Sequence, residues 1–467
     1  MEKKIYPTEV LEVTIDRLDS KGRGIARYIH PPDRGSNGKH LTIIMMNVVP
    51  GDVVKVTVEN AKGRSKAVVD YDELLKPGPT RNLAVSTHRA VSGGTPLQYM
   101  HYKDQLAYKM GLVKGYLKKS GFDDSVVQPI IGMPEPERYR NKMELTFGAN
   151  GELGMHEQGN YLHIIDLEDS IIAPKIMVEM KHVVSQWQKD YQLSGYDKET
   201  HSGLLRNLMM RKSFATGELM AVLYATEAPE ALPEAIEELV QRLSSQFKEL
   251  VSLLWIEHTD IVDRVQTDAT HILYGRDYIK DQLNGFRYRI WHDTFFQANT
   301  VQAEKLVELA LEMAKVDSTM RVLDLFCGVG TFSLPFAKRS KELAGIEMVE
   351  NSILSARRNA KDNGIGNTYF MVSDARKGLA KLKETWGQPD LLVLDPPRGG
   401  AGGKVMRGIG RLGTDKVVYI SCSPKSLAED LVWLKDYGYQ LVTVQPVDQF
   451  PHTTHVECVV LMEKKKE

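Results

Sequence analysis

From Asp293 onward the chain alternates short apolar runs with stretches of helical spacing, and this alternation narrows its fold more than any other feature. A helical stretch at 298–315 leads into an apolar run at 320–325, then a Gly-rich turn and a helix. An apolar run at 343–347, a helical stretch at 349–363 and runs at 369–372, 391–394, 416–420 and 455–462 follow. Strands separated by helices cannot be hairpins; they need crossovers, which make the sheet largely parallel and cover both its faces. The pattern predicts a doubly wound, Rossmann-like α/β domain that binds ligands at the carboxyl ends of its strands.

Upstream the period changes. Val10-Leu11-Glu12-Val13-Thr14-Ile15-Asp16 and Val53-Val54-Lys55-Val56-Thr57-Val58 alternate apolar and polar residues, with turns at 20–24 and 50–52 and a second strand expected at 41–49. Several short strands within residues 8–75 predict a small OB-like barrel, with an exposed loop at 31–39. Pro77-Gly78-Pro79 ends it, and residues 80–285 read as mixed α+β: a helix at 104–119, a strand at 143–147, a hairpin around Thr216-Gly217 and an amphipathic helix at 229–247. Three domains are therefore expected, at 1–78, 79–285 and 286–467, since 467 residues exceed one core. The net charge of −1 confines any nucleic-acid site to a local basic face, such as 138–142 or 206–212. Three cysteines without framework spacing, no apolar leader and no run long enough for a membrane span point to a cytoplasmic chain, expected to be a monomer.

The Gly-rich turn is Asp324-Leu325-Phe326-Cys327-Gly328-Val329-Gly330-Thr331-Phe332. Gly328 and Gly330 let the backbone approach a ligand, but the third glycine of a dinucleotide fingerprint is missing. Asp324 before the turn, Glu347 after the next strand and Asp374 after the third supply acceptors instead. That set suits S-adenosylmethionine, whose ribose and adenine need acceptors and which has no pyrophosphate to cradle. Asp395-Pro396-Pro397-Arg398-Gly399 ends the fourth strand, where prolines hold an extended backbone against a flat base.

Ser421-Cys422-Ser423-Pro424 and His455-Val456-Glu457 complete the set. Carbon 5 of uracil is a poor nucleophile; thiolate addition at carbon 6 turns the ring into an enolate that can attack a sulfonium methyl. A base must then remove the carbon-5 proton so that sulfur can leave. Cys422 and Glu457 fit those two roles, the thiolate being favoured by an electropositive or helix-end setting. Cys327 and Cys458 read as packing residues.

With Phe295-Phe296-Gln297-Ala298-Asn299 and Phe450-Pro451-His452-Thr453-Thr454, these motifs resemble the RNA uracil-5 methyltransferase family, in its 23S ribosomal-RNA branch with an N-terminal TRAM domain. The resemblance spans the chain. It implies Cys422 as nucleophile and Glu457 as base, Gln297, Phe326, Thr331, Glu347, Asp374 and Asp395 around the methyl donor, and Phe295 stacked on a flipped uridine with Gln297 and Asp395 beside it. It implies 23S rRNA as partner ahead of tRNA, gripped by the barrel. Relatives hold an iron–sulfur cluster on four cysteines, but those positions here read Ser86, Ser92, Thr95 and Ser170. Hydroxyls do not replace thiolates in such a cluster, so neither cluster nor metal is expected. A cytosine-5 enzyme would carry a cysteine after Pro396, an amino-group methyltransferase would not need Cys422, and a purely RNA-binding protein would need neither Cys422 nor Glu457.

Overall fold

The computed structural model describes residues 8–30, 40–61, 65–85, 94–157, 160–260 and 269–465. The expected loop at 31–39 and two of the positions where the resemblance implies cluster cysteines, Ser86 and Ser92, lie outside these residues. The chain divides into two units, Met1–Lys109 with Phe450–Thr454, and Met110–Gln449 with His455–Glu467.

The first unit is built on β1 (Glu9–Thr14), β2 (Arg17–Leu18), β3 (Gly24–Ile29), β4 (His40–Met45), β5 (Val53–Val58), β6 (Lys66–Val68) and β7 (Glu73–Lys76). They form two small sheets, in the orders β1-β5-β7 and β2-β3-β4-β6. Leu11, Val13, Ile43, Val54 and Val56 fill the space between them, as strict alternation requires. The strand expected at 41–49 stops at Met45, because Asn47 turns the backbone into the left-handed region at φ 58°. Asp52, fully buried, then accepts Val49 N–H and Gly78 N–H and pairs with the Arg81 guanidinium at 2.6 Å. That ion pair ties the segment after Pro77-Gly78-Pro79 back onto the barrel.

In the second unit α1 (Tyr102–Lys119), which begins in the first, is followed by β8 (Lys142–Phe147), β9 (Leu153–Glu157), β10 (Asn160–Asp166) and α2 (Lys175–Asp190). Next come β11 (Leu205–Lys212), β12 (Leu219–Ala225), α3 (Pro233–Gln246), β13 (Leu250–Glu257) and β14 (Ala269–Gly275). These strands make a seven-stranded sheet in the order β10-β9-β8-β11-β12-β13-β14. Trp187 of α2 and Leu239 and Leu243 of α3 are buried on it with Leu208, Met210 and Trp255. The hairpin β15 (Tyr278–Leu283) and β16 (Phe286–Trp291) turns at Asn284-Gly285, both at positive φ, the geometry a two-residue primed turn demands.

The last part runs α4 (Thr300–Ala314), β17 (Arg321–Leu325), α5 (Ser333–Ala337), β18 (Glu342–Glu347), α6 (Glu350–Asp362), β19 (Thr368–Val372) and α7 (Ala375–Thr385). It continues with β20 (Leu391–Leu394), α8 (Gly403–Leu412), β21 (Lys416–Ser421), α9 (Pro424–Lys435), β22 (Tyr439–Val447) and β23 (Glu457–Lys464). The sheet order is β19-β18-β17-β20-β21-β23-β22, parallel through β21, with β23 antiparallel to both of its neighbours. This is the doubly wound sheet that the alternation predicted, with its order reversing between β17 and β20.

Candidate active site

Every parallel strand of that sheet ends at the same edge, and each end carries a residue singled out from the sequence. β17 runs into the Gly-rich turn, β18 ends at Glu347, β19 is followed by Asp374, β20 by Asp395 and β21 by Cys422. Glu457 reaches this edge by the opposite route, as the first residue of the antiparallel β23. The last pair of the β21–β23 register is Ser421↔Cys458, so Cys422 and Glu457 adjoin it at the same strand ends. Glu457 lies close enough to Cys422 to raise its pKa, while the neighbouring Cys458 is fully buried in the core.

The turn is tight. Phe326 stands at φ 68°, a conformation costing a bulky residue roughly 1–3 kcal/mol, and Gly328 and Gly330 at φ 52° and 89°. Cys327 is buried, and its Sγ would stand 3.0 Å from a Cβ added to Gly345, so it is the packing residue expected. Thr331 is half-buried at the end of the turn. Asp324 is buried and accepts the Ser333 hydroxyl; burial first, and then Glu347, push its pKa up to about 7. The Glu347 carboxylate is aimed by backbone amides: Oε1 accepts Met348 N–H at 2.7 Å and Val349 N–H at 3.0 Å, and Oε2 lies 3.3 Å from Gly328 N. Exposed Asp374 caps α7 through Oδ1, which accepts Arg376 N–H and Lys377 N–H, so Oδ2 takes neither.

Residues 101–465 match the family model of the tRNA (uracil-5-)-methyltransferases. The chain belongs to that family. Relatives named uncharacterized RNA methyltransferases include one from Clostridium tetani, 33% identical over 97% of this chain and 96% of that one. Another, from Caldanaerobacter subterraneus, is 32% identical over 98% and 99% of the two chains. Among solved structures, the Pyrococcus abyssi tRNA (uracil-54, C5)-methyltransferase in complex with S-adenosyl-L-homocysteine has the same fold. Its TM-score is 0.74 at 23% identity, over 97% of this chain and all of that one. This methyltransferase takes its methyl group from S-adenosylmethionine, and the strand ends fit that donor. They offer an open Gly328, an oriented Glu347 carboxylate, an Asp374 with a spare oxygen, and apolar Met348 and Val349 exposed between them.

The edge that carries Asp395, Cys422 and Glu457 is acidic and largely buried. Asp395 is half-buried, and burial followed by the Asp324 charge raises its pKa to about 7. Glu457 is 6% exposed and held well above the usual carboxylate range, by burial first and Asp395 second. Cys422 is pushed up to about 12 by burial, then Glu457, then Asp395, with Arg398 opposing. This corrects the expectation of a setting that favours the thiolate. The residue does precede the N-cap of α9, but the helix terminus is outweighed by lost hydration and two nearby acids.

Phe295 is 70% exposed, whereas Phe296, Gln297 and Asn299 around it are buried. Gln297 Nε2 is 3.5 Å from Asp395 Oδ2, and Gln449 Nε2 donates to Gln297 Oε1 at 3.4 Å. The basic stretches offered as candidate phosphate contacts, with a solvated strand edge as the other reading, turn largely inward. Arg138 bonds Asp169 and the carbonyls of Ser170 and Ala173, Arg206 bonds the His258 and Asp260 carbonyls, and Arg211 is buried. Of the positions where the resemblance implies cluster cysteines, Thr95 is buried and Ser170 Oγ accepts Ile172 and Ala173 N–H at 3.4 and 3.2 Å. Among the described residues there is no group of three or more His, Cys, Asp or Glu able to hold a metal, and no helix long and apolar enough to cross a membrane.

The supports of the Asp395-Pro396-Pro397-Arg398 loop carry no mark in the sequence. Asp430 accepts Ala401 N–H, Gly402 N–H and the Tyr419 hydroxyl, and Ser426 Oγ donates to the Arg398 carbonyl. Both sit at helical spacing behind Pro424, where nothing in the linear pattern distinguishes them from ordinary helix surface.

Proposed function

We propose that this methyltransferase methylates carbon 5 of a uridine in 23S ribosomal RNA through a covalent Cys422 adduct, with Glu457 as base. The observation that carries the reading is the β21–β23 register: its last pair is Ser421↔Cys458, so Cys422 and Glu457 adjoin it at the same strand ends, close enough for Glu457 to raise the Cys422 pKa. S-adenosylmethionine supplies an electrophilic sulfonium methyl group; Gln297, Phe326, Gly328, Gly330, Thr331, Glu347, Asp374 and Asp395 would hold it. Phe295, exposed in the free protein, stacks on the uracil drawn from its helix, with Gln297 and Asp395 against the ring's polar edge.

Cys422 attacks carbon 6 as a thiolate, forming a C–S bond while the C5=C6 π pair shifts toward O4. Carbon 5 then takes up the methyl group with that electron pair, and the methyl's bond to the donor sulfur would break with its electrons left on that sulfur as a neutral thioether. Glu457 removes the carbon-5 proton; the freed pair restores C5=C6 and the C6–S bond breaks with its electrons returning to sulfur. Arg398 is the cation that opposes the raised pKa of both groups, so it favours the ionised forms that the chemistry uses.

The ribosomal substrate rests on the TRAM-like barrel, an RNA-gripping module in that branch. Transfer RNA is the second reading, favoured by one observation. The Pyrococcus abyssi tRNA enzyme matches along 97% of this chain, so the barrel is not peculiar to ribosomal enzymes. Mapping 5-methyluridine in rRNA and tRNA from cells with and without this protein decides between them. For the chemistry, Glu457→Gln incubated with donor and RNA is expected to accumulate a protein–RNA adduct stable on a denaturing gel. Normal turnover by that variant would show that Glu457 is not the base.

A further inference from the structure

The segment Thr294–Asn299 carries two residues of the proposed substrate site, Phe295 and Gln297, and it is fastened from outside the doubly wound sheet. Three of its carbonyls accept hydrogen bonds from adjacent strands, or their approaches, in the central sheet. Arg211 Nη2 of β11 donates to Thr294 O at 3.0 Å, Asn141 Nδ2, just before β8, to Gln297 O at 2.8 Å, and Asn141 N to Ala298 O at 2.8 Å. Residue 141 is itself held to β11, since Lys212 N–H donates to its carbonyl at 2.8 Å. The backbone is thus pinned on both sides of Phe295, whose ring alone stands clear of the protein.

The Arg211 guanidinium is an expensive way to make one bond. It is 2% exposed, and its Nε and Nη1 have no hydrogen-bond partner among the described residues. Asp281, the buried acid nearest in charge, is engaged by the Ser213 hydroxyl and Gln282 N–H. Burial lowers the Arg211 pKa to about 10, so it still carries its charge at neutral pH. Folding alone would favour an apolar side chain of similar shape in such a place. Retaining the arginine makes sense if the position of the Thr294 carbonyl matters to more than folding.

We propose that Arg211 and Asn141 are positioning residues for the Phe295–Gln297 strap, so that the central sheet sets the pose of the uracil-facing side chains. The inference rests on the reading of Phe295 as the stacking partner of the target base. Neither residue touches substrate; each acts through the strap's backbone. Displacing a substrate-positioning group by about 1 Å can cost on the order of 100-fold in rate, while donor binding at Glu347 and Asp374 has no reason to change.

The test is a double-mutant cycle between Arg211→Met and Phe295→Ala, following kcat/KM for 5-methyluridine formation, S-adenosylmethionine affinity and thermal unfolding in parallel. Expected is a loss of roughly 10- to 100-fold in kcat/KM for Arg211→Met with a much smaller change in donor affinity, because Gln297 is the one donor-holding residue that the strap carries. In the Phe295→Ala background that loss should largely vanish, and Arg211→Lys should restore part of it. Equal losses in both backgrounds, or none in either, would overturn the proposal while leaving Phe295 as the stacking residue. A Phe295→Ala variant with full activity would instead overturn the underlying reading. Should Arg211→Met fail to fold, Asn141→Ala decides in its place, since it removes the side-chain bond to Gln297 O and keeps the backbone bond to Ala298 O.

Discussion

Replacing Asp395 by Asn is expected to stabilise the methyltransferase fold at alkaline pH while impairing catalysis. Asp395 sits at the end of β20 beside Asp324, and its pKa is raised from 3.8 to about 7, burial being the larger cause and Asp324 the smaller. A carboxyl raised on folding binds its proton more tightly in the folded chain. Its contribution to stability is therefore complete below pH 3.8 and is lost progressively as pH rises to about 7. Across that interval the loss amounts to about 4 kcal/mol, and roughly half of it survives if Asp324, itself at about 7, absorbs part of the proton uptake. Asn keeps the shape and the contact with Gln297 but does not titrate. Thermal unfolding of wild type and Asp395→Asn should coincide near pH 4 and separate increasingly towards pH 8, with the variant melting higher. A constant difference across pH, or a variant less stable at pH 8, would refute the claim that the surroundings of this carboxyl raise its pKa.

Other outcomes follow from the same geometry. Cys422→Ala should abolish 5-methyluridine formation yet bind S-adenosylmethionine with unchanged affinity in calorimetry, because the thiol lies at the end of β21, away from the β17–β19 ends. Arg398→Gln removes the cation that lowers the Cys422 and Glu457 pKa values, so the ascending limb of the pH–kcat/KM profile should move to higher pH. An unmoved limb would remove Arg398 from the ionisation step. Gly345→Ala puts a Cβ 2.6 Å from the Phe370 ring and 3.0 Å from Cys327 Sγ, and should lower stability by about 1–3 kcal/mol in denaturant unfolding. Anaerobically purified protein should contain no stoichiometric iron or sulfide, which elemental analysis checks.

Much of this architecture was legible because its signals are local. The alternation of strands and helices is a property of residues a few positions apart, and β20 runs from Leu391 to Leu394, as its apolar pattern foretold. The β15–β16 hairpin carried an equally local sign, Asn284-Gly285, but its flanking runs, Tyr278–Leu283 and Phe286–Trp291, mix charges with apolar residues. The alternation becomes plain only once Ile279, Leu283, Tyr288 and Ile290 are seen buried on one side. Arg206 and Arg211 misled for the opposite reason. In sequence they are charges beside other charges, and only the fold reveals that they point inward to backbone carbonyls.

The sequence alone determined the type of fold, the family and the identities of the groups available for the chemistry, since each follows from residue type and short-range spacing. What only the tertiary structure decided is how those groups behave. The antiparallel return of β23 brings Glu457 to the edge where five parallel strands end. Burial there, together with one acid set beside another, holds Cys422 as a thiol and Asp395 near neutrality. Ionisation depends on the water and charge around a group, and residues distant in the chain supply both.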